Sequence, residues 1–159
     1  MLRISRMPFL TVSIRPFTDV FKGFEKIDAV RRIFGERTDE VLGNLMVELT
    51  AMGGYMWVND VDGHLVVSAR YFNSGERVDI YLDVIHELVH VKQFMEGKEL
   101  FDMHYGYVDR PTEIEAYGHA VEEARRIGLS DARICQYLKT EWMSDHELKQ
   151  LTRTLKVEC

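Results

Sequence analysis

Cysteine is scarce in this sequence. Cys135 and Cys159 are the only two among 159 residues. Two cysteines do not make a disulfide framework, so a small secreted scaffold stapled by several bridges is excluded. Cys135 falls in an expected helix and reads as a small core residue; Cys159 receives no role. Long apolar runs are also missing. No stretch approaches the roughly 20 residues of a membrane span. Arg3 and Arg6, followed by Pro8 and Arg15 with no small-residue cleavage site, make a poor secretory leader. The expected location is cytoplasmic, with no membrane partner. Positive charge is not in excess either. The formal net charge is −6, which argues against nucleic acid as a partner. The pairs Arg31-Arg32 and Arg125-Arg126 read as solvated helix faces. There is no internal repeat, low-complexity tract or interdomain linker.

What is present suits one globular domain over residues 1–159. Apolar residues make up 46% and charged residues 29%, enough for a real core. Residues 8–16 alternate loosely, as a strand does. Thr18 or Asp19 starts a helical pattern that runs to Phe34 and stops at Gly35. A second opens at Thr38, with Val41, Leu42, Leu45, Met46 and Leu49 on one face, and ends at Gly53-Gly54. Residues 55–58 and 64–71 are rich in aromatic and β-branched side chains. Asn59-Asp60-Val61-Asp62-Gly63 between them is a turn signal, so a β-hairpin is expected. A long helix follows from Arg77 to Met95, with Gly97 beyond its end. Residues 98–110 look irregular. Thr112 and Glu115 fit a capping box that opens a helix to Ile127, stopped by Gly128. Ser130 starts another helix, and Ser144 with Glu147 repeats the capping-box pattern before a last one.

The chemistry lies in the long helix. His86-Glu87-Leu88-Val89-His90 places two histidines four residues apart. On a helix they share one face, a turn apart, and both imidazoles can reach one ion. Neutral imidazole is a good zinc ligand. Glu87 projects about 100° around the helix from His86, so it need not coordinate and is free to take a proton from a zinc-activated water. A catalytic zinc usually has three protein ligands. Candidates for the third are His104, Asp109, Glu113, Glu115 and His119. Glu113, Ala116, Tyr117, Ala120 and Ala124 fall on one helical face, whose alanines allow close packing. A carboxylate there turns into the core, where it needs a cation. Glu115 is occupied by the capping box, so Glu113 is favoured. Tyr105, Tyr107 and His104, between the two motifs, are candidates to steady an oxyanion. Asp83, three residues before His86, is a candidate to hold that histidine's second nitrogen.

His86-Glu87-Leu88-Val89-His90 followed by Pro111-Thr112-Glu113-Ile114-Glu115-Ala116-Tyr117 resembles the gluzincin metallopeptidases, and within them the compact ImmA/IrrE-like proteins and other small zincin-like domains. In that group the third ligand is a glutamate opening a later helix, shortly before an Ala-Asn pair. Ala116-Tyr117 aligns with that pair, which again selects Glu113. The resemblance covers roughly residues 77–124. It implies an α+β, zincin-like fold, with a small sheet or hairpin beside the motif helix and a helical C-terminal half. It also implies a zinc metallopeptidase that hydrolyses peptide bonds, with His86, His90 and Glu113 on Zn2+ and Glu87 as general base. Tyr105 or Tyr107 would aid the oxyanion, and a peptide or protein would be the substrate. The alternative is a non-catalytic or partner-dependent zinc-binding regulatory or interaction domain, a reading that the short chain supports.

Overall fold

A computed structural model describes residues 3–4 and 13–159. Arg3–Ile4 (β1) pairs antiparallel with Phe21–Lys22 (β3), while Ser13–Pro16 (β2) joins a second, larger sheet. Of the first expected strand, residues 8–12 lie outside the described residues and 13–16 are strand. The single helix expected up to Phe34 is divided into Phe17–Val20 (α1), β3, a 3-10 turn over Phe24–Lys26 and Asp28–Phe34 (α2). Positions 17, 20, 21 and 24 suit a helical face, which explains the expectation. Gly23 overrides it by taking a left-handed φ of 89°, a conformation that costs glycine little. Phe17, Phe21 and Phe24 still meet in the core, tilted or edge-on to one another.

The second expected helix is also too long. Thr38–Asn44 (α3) ends at Leu45, and Met46–Thr50 (β4) is a strand. Its residues satisfy both periods, and the sheet decides between them. Val47 and Leu49 are buried, while Met46 is exposed. β4 lies inside a four-stranded mixed sheet with Met56–Val58 (β5) and Leu65–Ser68 (β6), in the order β2-β4-β6-β5. β4 and β6 run parallel; the other pairs are antiparallel. The expected hairpin is β5–β6, with Val58 opposite Leu65. Its second strand stops at Ser68 rather than Tyr71, because the Ser68 side chain accepts the Tyr71 N–H and caps Ala69–Ser74 (α4).

Arg77–Met95 (α5) matches its expected bounds and is buried on most sides. It packs against β5, α2 and Pro111–Arg126 (α6). Ala116, Ala120 and Ala124 are fully buried and let the two backbones approach. Each large apolar side chain that α5 buries, such as Leu82, Ile85 and Leu88, contributes about 1.5–3 kcal/mol. Residues 98–110 are irregular apart from a 3-10 turn at Tyr107–Asp109. The Thr112–Glu115 capping box does not form. Pro111, with its preset φ, is already the first helical residue and Arg110 is the N-cap. The Thr112 hydroxyl instead donates to the Leu100 carbonyl.

Ser130 caps Asp131–Leu138 (α7), and Ser144 with Glu147 forms the expected capping box on Asp145–Leu155 (α8). The cysteine reading needs correction. Cys135 and Cys159 form a disulfide, with Cα atoms 5.9 Å apart. Nothing local in the sequence announces this pairing. It arises because the segment after α8 folds back: Arg125 donates to the Lys156 carbonyl and the Glu158 N–H donates to Asp131. The class is therefore α+β, a small mixed sheet beside a mostly helical body. Among the described residues no helix is long and apolar enough to cross a membrane.

Candidate metal centre

His86 and His90 project from one side of α5 with their Nε2 atoms 3.0 Å apart. Glu113, in the first turn of α6, brings Oε2 to 3.1 Å from His86 Nε2 and 3.4 Å from His90 Nε2. All three residues are buried, and among the described residues they are the group whose ligand atoms converge in this way. A tetrahedral site with bonds of about 2.0–2.1 Å separates its ligand atoms by roughly 3.3 Å. The three observed separations bracket that value. A cation would complete the arrangement, since Glu113 Oε2 is buried with no hydrogen-bond partner and its two neighbours are imidazole nitrogens. The residues fit a zinc ion.

Local structure explains this convergence. The i, i+4 spacing stacks the imidazoles, with ring centroids 4.7 Å apart. The alanine face of α6 brings Glu113 close to α5. Gln93, fully buried, fixes His90 and ties the two helices. Its Oε1 lies 2.7 Å from His90 Nδ1, and its Nε2 donates to the Thr112 carbonyl and to Glu115. An Nδ1–H donated to Gln93 leaves the His90 Nε2 lone pair for a metal. Sequence reasoning missed Gln93. The signal was a polar side chain three residues past the second histidine on a buried helix. Tyr117, read as part of the α6 face and of the Ala116-Tyr117 pair, packs its ring on His86 at 4.3 Å between centroids.

The electrostatics suit an ion. Burial tends to raise Glu113, but its contacts with His86 and His90 prevail and hold it far below the usual carboxylate range. Burial lowers His86 toward its neutral form. His90 is raised against its burial by Glu113 and Glu87. Glu87 is buried beside the cluster. Desolvation pushes it up to about 8, against the charge of His90 and a backbone hydrogen bond with Val58. A cation on the three ligands acts in the opposite direction.

His86 and Glu87 line two adjoining cavities. One, of about 330 Å³, has apolar walls from Trp57, Val58, Leu100 and Phe101 and reaches His90 and Glu113. The other, of about 380 Å³, runs toward Asp83 between tyrosines. Tyr107 lines both, with its hydroxyl 2.8 Å from that of Tyr117. Tyr105 is exposed and lines neither. The other candidate third ligands have other partners or surroundings. His104 pairs with Asp102 at the surface, Asp109 accepts from Gln150, Glu115 is bound to Gln93, and His119 is half-buried on α6. Asp83 does not hold His86, because the hydroxyls of Tyr71 and Tyr137 claim its two oxygens. His86 Nδ1 is buried with no hydrogen-bond partner.

Fold and site together define a helix-borne His-His-Glu cluster with the buried Glu87 carboxylate beside it, in a small α+β chain. Comparison with protein-family models, with characterised proteins and with solved structures finds no match.

Proposed function

We propose that this chain is a zinc-dependent peptidase of the gluzincin type, with a zincin-like arrangement of sheet and motif helix. The observation that carries the reading is the convergence of His86, His90 and Glu113, with Glu87 outside that group and lining two cavities. When bound, zinc supplies Lewis acidity to a water and to a substrate carbonyl.

The protein's own residues do the rest. Glu87 accepts the proton that the attacking water loses as its oxygen bonds to the carbonyl carbon. It then delivers that proton to the departing amine nitrogen as the C–N bond breaks. Gln93 keeps His90 in one tautomer. Tyr107, whose phenol burial holds in the protonated form, lines both cavities and serves as donor to the developing oxyanion. Tyr105 is too exposed to share that task unless a substrate covers it. The cavities favour catalysis over a passive metal-binding or interaction domain, since a structural zinc needs closed coordination rather than an approach. The substrate class is a peptide or protein, and the proposed location is cytoplasmic.

The test is elemental analysis after native purification, then digestion of a degenerate peptide mixture by wild type and Glu87→Gln. We expect about one zinc per chain in both proteins and a loss of cleavage of roughly 10²–10⁴-fold in the variant. Absence of zinc, with no zinc-dependent rise in melting temperature, removes the metal reading. Undiminished cleavage by Glu87→Gln removes the mechanism.

A further inference from the structure

The two histidines of the cluster are held differently. His90 has the Gln93 amide at its Nδ1. The same atom of His86 is buried with no hydrogen-bond partner among the described residues. A metal-ligating imidazole almost always donates its second N–H to a carboxylate, a carbonyl or a water, which fixes its tautomer and orientation. Asp83, three residues earlier on α5, does not fill that place, because Tyr71 and Tyr137 engage its oxygens. On the Nε2 side His86 meets His90 and Glu113.

The remaining neighbour is Tyr117. Its ring centroid lies 4.3 Å from that of His86, with the planes at 64°. This is closer than the roughly 4.5–7 Å usual for aromatic pairs. The angle excludes stacking, so an edge of one ring meets the face of the other. Tyr117 is itself fixed. It follows Glu113 by one turn of α6 and is almost fully buried, and its hydroxyl is 2.8 Å from that of Tyr107. One turn of α6 therefore carries both a ligand and the ring that meets another ligand. The face of an aromatic ring is the negative end of its quadrupole, and it accepts an N–H as a weak hydrogen bond. The attraction grows when the imidazole shares the charge of a cation on its other nitrogen. An aliphatic side chain fills the space but offers no such face.

We infer, on the strength of the zinc site in the proposed function but not of its peptidase chemistry, that Tyr117 is the positioning residue of His86. The face of its ring accepts the Nδ1–H that no oxygen or amide reaches. This holds the proton on Nδ1 and keeps the Nε2 lone pair directed to the point shared with His90 and Glu113. The rival occupant is a water at Nδ1, since His86 and Tyr117 both line the cavity of about 380 Å³. The two histidines are thus oriented by different means, His90 by an amide and His86 by a ring face.

The test uses the full chain and two variants. Tyr117→Phe keeps the ring and removes only the hydroxyl, whereas Tyr117→Leu keeps an apolar side chain and removes the ring. Zinc affinity is measured by competition with a chromophoric chelator. Tyr117→Phe should bind zinc within about three-fold of wild type, because the ring face is retained. Tyr117→Leu should bind about 10–100-fold less tightly. The visible spectrum of the Co2+-substituted protein should likewise change in Tyr117→Leu alone. A second measurement needs no variant. In zinc-loaded wild type labelled with 15N-histidine, the His86 Nδ1 proton should be shifted upfield by the ring, show contacts to the Tyr117 ring protons and exchange slowly with water. Equal zinc affinity in wild type and Tyr117→Leu overturns the role of Tyr117 and leaves the metal reading standing. So does an Nδ1 proton that exchanges with a bound water and shows no ring shift. An equal loss in Tyr117→Phe and Tyr117→Leu also overturns it, since the hydroxyl rather than the ring face would then be responsible. Failure of wild type to bind zinc removes the metal reading, and the role of Tyr117 with it.

Discussion

Gln93 offers the sharpest check on how the metal cluster is held. The perturbation is Gln93→Met, which nearly conserves volume and leaves the fully buried position packed, so the loss is confined to hydrogen bonds. Three are removed: the contact with His90 Nδ1 at 2.7 Å, the bond to the Thr112 carbonyl at 3.0 Å and the bond to Glu115 at 2.7 Å. Glu115 is partly exposed and retains Lys98 nearby, so its loss is minor. The His90 N–H is left buried and unpaired, at about 1–3 kcal/mol, while the Thr112 carbonyl keeps its helical bond from the Ala116 N–H. The expected destabilisation of metal-free protein is thus about 1–3 kcal/mol. Freed to rotate and change tautomer, His90 should also bind zinc about 10–100-fold less tightly. Urea unfolding with and without zinc gives the first quantity; competition with a chromophoric chelator gives the second. An informative control is Gln93→Glu, which keeps an acceptor for His90 but sets a carboxylate against the Thr112 carbonyl and Glu115. It should preserve zinc affinity better than stability. An unchanged zinc affinity in Gln93→Met would show that Gln93 does not orient His90. An unchanged urea midpoint would refute the proposed tie between α5 and α6.

Two further predictions concern stability. Desolvation, with Asp79 adding to it and the tyrosine hydroxyls opposing it, raises Asp83 to about 7, whereas an unfolded aspartate titrates near 3.9. The folded chain keeps a proton that the unfolded chain releases, so stability falls as pH rises from about 4 to about 7. Asp83→Asn lacks this group, and its advantage over wild type should grow across that window. Urea midpoints that move in parallel for the two proteins would contradict it. The second prediction follows from the Cys135–Cys159 pair, which spans 24 positions. Opening it should cost about 3 kcal/mol through the freed unfolded chain, measured as the difference in unfolding free energy between oxidised protein and Cys135→Ser. No difference would mean that the pair does not constrain the chain. Under reducing conditions the thiols stand open, and the variant reports the stability of that form.

Much of the candidate centre was legible because its signals are local. The His86–His90 spacing, the bounds of α5 and the small-residue face of α6 depend on a 3.6-residue period and on the residues themselves. The selection of Glu113 drew on the same period, which sets it on a face with Ala116, Ala120 and Ala124, and on the capping box expected for Glu115. The β5–β6 hairpin and the Ser130 and Ser144 caps were legible through turn and capping chemistry that acts over a few residues.

What failed was decided by distant partners. Residues 46–50 satisfy helical and strand periods alike, and became a strand because β2 and β6 lie on either side of them. Asp83, expected to hold His86, belongs to Tyr71 and Tyr137, which approach from α4 and α7. The role of Gln93 depends on Thr112 and Glu115, 19 and 22 positions away. Cys135 meets Cys159 only because the end of the chain folds back over α7. The sequence by itself determined which residues could bind an ion and on which helices they stand. Only the tertiary structure decided that two cavities, one apolar and one acidic, meet at those residues. Cavity walls are assembled from segments far apart in the chain, and no local period encodes their meeting.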